Sequence, residues 1–344
     1  MKWMLWLLFF SLFISCARVQ TLNLAKHQYS NRADHIVWIQ LAGFSEDHLP
    51  LLRFSVAEAD YKTNIEQVDC VGKMWAYNLF SIRPESQQSF LAQSTGSKNI
   101  KGSCADYETP SSWNILSKLG YGTSVLESGA NDQQSFQEGL KCSVNNVVDT
   151  RTMRYYRMGP DIGVDLKTFH YQASNVDIQK FLEPGLYLDK SCQKGICYSS
   201  LSNNFKTLWQ SNIKENNRTF FILRDFNLQN ALKKKDISLA RESLQEIDRI
   251  VNIIKTSRES GYLIIISGAE SIPIEFPLKG KEWAEFESKG KNVVYRNSTL
   301  LSPVLAKGSM AENFCGMFEE SEMLNRIIYK PERKVFDWDF LKPF

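Results

Sequence analysis

At 344 residues, 43% of them hydrophobic and 23% charged, the chain has the composition of an ordinary globular protein, long enough for one large domain or two. A net charge of only +3 argues against a nucleic-acid partner and against strong electrostatic attachment to a membrane. The sequence contains no internal repeat, Gly-rich phosphate loop, Gly-x-Ser-x-Gly elbow or His-Glu-x-x-His pair.

Met1-Lys2, the apolar residues 3–14 and the small residues after them have the form of a secretion signal. The run is shorter than the roughly 20 apolar residues a spanning helix needs. Its end, Phe13-Ile14-Ser15-Cys16, resembles a bacterial lipoprotein processing site, which implies that Cys16 becomes the acylated first residue of the mature chain. An ordinary cleaved signal with an incidental Cys is the alternative. Ala17 implies, by the same resemblance, the outer membrane of the cell envelope. The expected organisation is a signal peptide over residues 1–16, a polar aperiodic tether over 17–33 and a folded domain over 34–344. In an exported chain the remaining cysteines, Cys70, Cys104, Cys142, Cys192, Cys197 and Cys315, are even in number and favour disulfides, with their connectivity open. Cys192 and Cys197 are the easiest to join, because Gly195 permits the tight turn. A zinc site is the competing reading, but no His or second close Cys pair accompanies them.

Residues 35–43 predict a first strand by their β-branched, Trp and Leu content. The residues after it, including Asp47 and His48, predict a helix N-cap in a solvated loop. Pro84 suits the first turn of a helix running to Thr95-Gly96, and the N–H groups exposed there suit an anion. Ser86 lies in that turn with no base or metal recognisable beside it. Trp113, Ile115, Leu116 and Leu119 predict another helix, stopped by Gly120 and followed by a strand that leads to Glu127. Residues 128–215 alternate polar loop with short apolar pieces and include the turn Glu183-Pro184-Gly185. Residues 220–223 predict a buried strand leading to Arg224, Asp225 and Asn227. Lys233, Lys234 and Lys235 then read as a solvated basic face, with a phosphate or lipid headgroup clamp as the alternative.

Leu244, Ile247, Val251 and Ile254 place one apolar stripe on a helix of about six turns, closed by Gly261. Residues 262–266 are apolar throughout, which predicts a strand buried on both faces of a parallel sheet. The loop Ser267-Gly268-Ala269-Glu270 then lies beyond the carboxyl end of that strand, where ligands of open α/β sheets sit. A short strand over 293–295, an apolar piece over 300–304 and a helical segment from Ala311 toward Leu324 follow. The aromatic tail 336–344 packs on the body or forms a contact surface. The periodicity predicts an α/β protein with a mostly parallel, doubly wound sheet and helices on both faces.

From about residue 35 to about residue 325 this order of elements resembles the alkaline phosphatase and sulfatase superfamily. The resemblance implies a metal-binding Asp at the end of the first strand, a nucleophile opening the helix that runs to Thr-Gly, and Ser-Asp-His-Gly after the late strand. Here Ala42 stands at the first position. Ser86 is the candidate nucleophile by spacing from Thr95-Gly96, and Ser267, Gly268, Ala269 and Glu270 stand at the last. Cys70-Val-Gly-Lys does not match the sulfatase Cys-Pro-Ser-Arg, so Cys70 reads as structural. No His follows His170, although the resemblance implies imidazole ligands in the C-terminal half. The chain reads as a degenerate member that keeps the scaffold and lacks the ligands.

Two functions follow. One is a lipid-anchored pseudoenzyme with no cofactor, binding an envelope protein, a glycan or an anionic ligand in the old cleft. The other is a divergent hydrolase of phosphate or sulfate esters, with Ser86 as nucleophile and Glu127, Asp225 and Glu270 in a rebuilt site holding zinc or calcium.

Overall fold

The first strand is buried at every position from His35 to Ala42, and that continuous burial fixes its place inside a sheet covered on both faces. A computed structural model describes residues 32–53, 62–131, 133–136, 153–158, 169–173, 178–181, 200–257 and 261–328, all within the unit Tyr29–Lys330. Cys16, the tether, Cys142, Cys192, Cys197 and the tail 336–344 lie outside the described residues.

The strands are β1 (His35–Ala42), β2 (Cys70–Trp75), β3 (Gly122–Ser128), β4 (Met153–Met158), β5 (Phe169–Ala173), β6 (Ile178–Phe181), β7 (Thr219–Asp225), β8 (Tyr262–Ala269), β9 (Ile274–Glu275), β10 (Val294–Tyr295), β11 (Leu301–Gly308) and β12 (Gly316–Glu319). Ten of them form one sheet in the order β12-β2-β11-β8-β1-β7-β3-β4-β5-β6, while β9 and β10 form a separate ribbon. From β8 to β4 every pairing is parallel. Beyond this core β11 joins β8 antiparallel, and β5 joins β4 antiparallel. The helices are α1 (Leu49–Arg53), α2 (Ser86–Thr95), α3 (Ser112–Lys118), α4 (Leu201–Glu215), α5 (Asn227–Lys233), α6 (Ile237–Thr256), α7 (Gly280–Lys289) and α8 (Met323–Ile328).

Successive residues on a strand point to opposite faces, and this splits the core in two. Val37, Ile39, Phe221, Leu223, Ile264 and Ile266 pack against Leu244, Ile247, Val251 and Ile254 of α6, with Phe205 and Trp209 of α4. Ile36, Trp38, Phe220, Ile222, Leu263 and Ile265 pack on the other face, against Phe90 of α2, Trp113 and Leu116 of α3 and Ile327 of α8. The expected doubly wound α/β architecture is therefore present.

Some boundaries differ from expectation. α6 ends at Thr256 with Ser257 as its cap, and Gly261, at φ +85°, opens β8 instead of closing the helix. β8 runs through Ala269, so Ser267, Gly268 and Ala269 pair with Gln40, Leu41 and Ala42, and only Glu270, at φ +49°, leaves the strand. The segment from Ala311 holds a tight turn, then β12, then α8 from Met323, because Gly316 breaks it at φ +82°. Cys315, just before β12, is disulfide-bonded to Cys70 at the start of β2, with Cα atoms 5.3 Å apart. Cys104 is also disulfide-bonded.

Candidate functional site

The four central strands each replace an apolar residue with a polar one at the same level, near their carboxyl ends. Ser267, Gln40, Arg224 and Glu127 form one row across β8, β1, β7 and β3. All four are on the face that carries Trp38 and Ile222, beneath α2. Arg224 is fully buried and donates from Nε to Gln40 Oε1 at 3.2 Å, from Nη1 to Glu127, and from Nη2 to Gln87 Oε1 of α2 at 2.7 Å. Its guanidinium also lies over the Phe90 ring, 4.0 Å from the centroid. Glu127 is equally buried and is fully engaged: besides Arg224, it accepts from the Phe136 N–H at 2.8 Å, from Ser135 Oγ at 2.7 Å and from the Tyr155 hydroxyl. Burial and the Glu127 charge push the Tyr155 hydroxyl well above the ordinary phenol range.

The row closes on α2 through Gln93. Its Oε1 accepts from Ser267 Oγ at 3.0 Å and from Gln40 Nε2 at 3.3 Å, and its Nε2 donates to the Gly268 carbonyl at 3.2 Å. Glu320 follows β12 and is buried against Gln93, whose amide lies 3.5 Å from it. That burial raises its pKa to about 8, so the carboxyl is mostly protonated at neutral pH.

Above this row lies a second cluster at the first residue of α2. Ser86 is fully buried, contrary to the expectation of a first-turn serine without a partner. Its N–H donates to Glu270 Oε2 at 3.1 Å and its hydroxyl to the same oxygen at 2.9 Å. Gln229 of α5 donates to that oxygen at 2.7 Å and to Ser86 Oγ at 3.0 Å, and Lys233 Nζ stands 3.6 Å from Glu270 Oε1. A carboxylate oxygen held by a helix N-terminal N–H, a hydroxyl and an amide, with an ammonium nearby, is in the environment an oxyanion takes at a helix N-terminus. Lys233, Lys234 and Lys235 are all exposed, as expected of a solvated basic face, and Lys233 in addition reaches toward Glu270.

The other expected positions do not join it. Asp225 points to the opposite face, where Ser243 of α6 donates to Oδ2 at 2.9 Å and Asn227 donates to Oδ1 at 2.6 Å; burial raises its pKa to about 6. Ala42 packs with Ala130 and Phe226 in a small apolar cluster. Ala269 is buried, and a Cβ on Gly268 would stand 2.7 Å from the Phe44 carbonyl oxygen. His48 is buried, not solvated; its Nδ1 accepts from the Ser45 N–H at 3.1 Å, and burial lowers its pKa to about 4. Asp47 accepts from Ser45 Oγ in the same turn.

A zinc pair or a calcium ion does not fit these residues. Among the described residues no three His, Cys, Asp or Glu side chains converge on one point. Glu127 is already occupied by four donors, Asp225 is turned to the far face, and Glu270 is held by Ser86 and Gln229. Of the side chains that build the site, the sequence reading passed over Arg224, Gln40, Gln87, Gln93, Gln229 and Glu320. Arg224 did leave a signal: a guanidinium directly after Phe220-Phe221-Ile222-Leu223 sits in a strand buried on both faces and requires a buried partner.

Comparison with known proteins supplies a fold. No family model matches the sequence, and no curated protein matches it significantly. Solved structures do match. Alkaline phosphatase from the Antarctic bacterium TAB5 aligns with a TM-score of 0.57 and 13% identity, over 86% of this chain and 97% of that one. The cold-active alkaline phosphatase of the psychrophile Shewanella sp. gives 0.61 and 12%, over 85% and 98%. Thermus thermophilus alkaline phosphatase gives 0.59 and 9%, over 90% and 94%. At such identities the likeness establishes the architecture, and activity has to be argued from the site.

Proposed function

We propose that this chain, which has the phosphoester-hydrolase-like fold of the alkaline phosphatases, is a non-catalytic relative of them. We place it in the bacterial cell envelope, held through an acylated Cys16, with the Ala17 that follows assigning it to the outer membrane. It binds an envelope protein, a glycan or an anionic ligand at the carboxyl edge of its sheet. The observation that carries the reading is the position of Glu270. Its carboxylate receives the N–H and hydroxyl of Ser86, the groups that open α2, so the chain supplies its own anion where a substrate oxyanion would be held. Around it, Ala42, Gly268 and Ala269 offer no ligand atom, and Arg224 is fully buried against Glu127. Displacement at a phosphate ester needs compensating positive charge on the attacking and leaving oxygens. Lys233, half exposed and already facing Glu270, is the cation nearest this cluster among the ion pairs of the described residues.

The purified chain, with and without added zinc, is expected to hydrolyse aryl phosphate and aryl sulfate no faster than its Ser86→Ala variant. One contact favours the second reading, a divergent hydrolase: Ser86 Oγ donates to a carboxylate at 2.9 Å, as a nucleophile does to its base. Turnover that disappears in both Ser86→Ala and Glu270→Ala would establish that reading and overturn the first. The anchor is tested separately by fatty-acid labelling, which is expected to be lost in Cys16→Ser.

A further inference from the structure

The turn between β2 and α2 is tightly pinned, yet it directs its large apolar side chains into solvent. Asn78 is buried, and its Oδ1 accepts from the N–H groups of Phe80 at 2.8 Å and Ser81 at 2.7 Å. The Asn78 N–H donates to the Ser81 carbonyl at 2.9 Å, and Leu79 donates to the Lys98 carbonyl at 3.0 Å. Held in this way, Leu79 is 69% exposed, Phe80 56% and Ile82 72%, and Trp75, which ends the strand feeding the turn, is 39% exposed. Single exposed apolar residues are ordinary; a group of them on one fixed turn marks a contact surface. The turn runs through Pro84 and Glu85 directly into Ser86, so this tip borders the site described above.

The charges around the tip indicate what covers it. Lys101 Nζ lies over the Phe80 ring, 5.3 Å from its centroid, and Lys98 Nζ over the Tyr77 ring at 4.8 Å. Lys98 is paired with Glu319, but among the described residues neither Arg83 nor Lys101 has a carboxylate partner. Glu85 is the acidic residue within the turn. Leu, Phe and Ile at a tip, flanked by Arg83 and by Lys101, whose ammonium lies over the Phe80 ring, match the layering of a bilayer interface. The apolar groups enter the acyl boundary while ammonium and guanidinium stay level with the phosphates.

We propose that the turn carrying Leu79, Phe80 and Ile82 inserts into an anionic phospholipid surface, with Arg83 and Lys101 on the headgroups. This contact is independent of any lipid on Cys16, and it would bring the Ser86 edge of the sheet to the membrane. The test uses the full chain with Phe80→Trp, mixed with vesicles of phosphatidylethanolamine and phosphatidylglycerol whose acyl chains are brominated near the glycerol. Leu278→Trp is the control, because Leu278 is 93% exposed in a different turn. The emission added by Phe80→Trp is expected to fall by roughly half, since interfacial side chains reach only about 5–10 Å into the acyl boundary. Emission added by Leu278→Trp is expected to be unaffected. Combining Phe80→Trp with Arg83→Glu and Lys101→Glu, or replacing the anionic lipid by phosphatidylcholine, is expected to weaken the quenching. Equal quenching at both positions, none at position 80, or quenching indifferent to charge overturns the proposal. A concentration-dependent blue shift of the Phe80→Trp variant without vesicles also overturns it, by assigning the tip to a second copy of the chain.

Discussion

Glu270 holds a left-handed backbone conformation at φ +49° while its side chain ties α2 to α5. Replacing it with Ala relieves no strain and leaves the Ser86 and Gln229 donors without their acceptor. Glu270→Ala is therefore expected to lower stability by about 1–3 kcal/mol, read as a shift in the urea midpoint at unchanged slope. A second residue-scale effect comes from the buried carboxyls. Burial raises Glu320 from 4.5 to about 8 and Asp225 from 3.8 to about 6. In both cases the folded chain retains a proton that the unfolded chain has already released, so this contribution is fully present below about pH 4 and is lost as pH rises through the folded values. His48, lowered from 6.5 to about 4, works in the opposite sense below pH 6.5, so the decline is expected to be clearest from about pH 6.5 to pH 8, and Glu320→Gln, which keeps the shape and removes the charge, should flatten it. A slope unchanged in Glu320→Gln would remove Glu320 as its source.

At the level of elements, β8 is closely packed at Gly268, against the residue Phe44 that follows β1 and against Pro303 of β11. A Cβ on Gly268 would meet the Phe44 carbonyl oxygen at 2.7 Å, Ser271 Oγ at 2.9 Å and Pro303 Cδ at 3.0 Å. Gly268→Asp, the change that would restore a carboxylate there, is expected to destabilise the fold by about 1–3 kcal/mol and to bring no bound zinc; melting temperature and elemental analysis check the two halves. How far each element was legible follows from its length and burial. α6 and β8 could be read directly, because a sustained three- and four-residue spacing and a continuous apolar run are strong signals. β4 could not, since Arg154 and Arg157 of Met-Arg-Tyr-Tyr-Arg-Met stand three positions apart and break the two-residue alternation of a strand, and neither could β12, which has only four residues. The site was legible mainly as missing ligands: Ala42, Gly268 and Ala269 stand in the sequence as plain letters. What fills the space was hidden, because Ser86 and Glu270 are 184 residues apart and no local pattern encodes their contact.

Across the whole molecule, Cys70 and Cys315 join segments separated by 245 residues. In the chain-entropy model closing so long a loop is worth up to about 5 kcal/mol, so Cys70→Ser with Cys315→Ser is expected to lower stability by about 3–5 kcal/mol. Denaturation of the double variant beside the oxidised parent measures it; a change below about 1 kcal/mol would show that the unfolded chain is already compact. The same connection governs the order in which the chain can assemble. β2 emerges early, but its partners β11 and β12 are among the last strands made. Until they arrive, β2 has both of its edges unpaired, and Cys70 and Met74, buried in the finished fold, are left uncovered. A nascent chain of this topology is thus a client for holding factors until its final quarter is available, and any truncation that removes β11 and β12 leaves an aggregation-prone edge in place of a smaller domain.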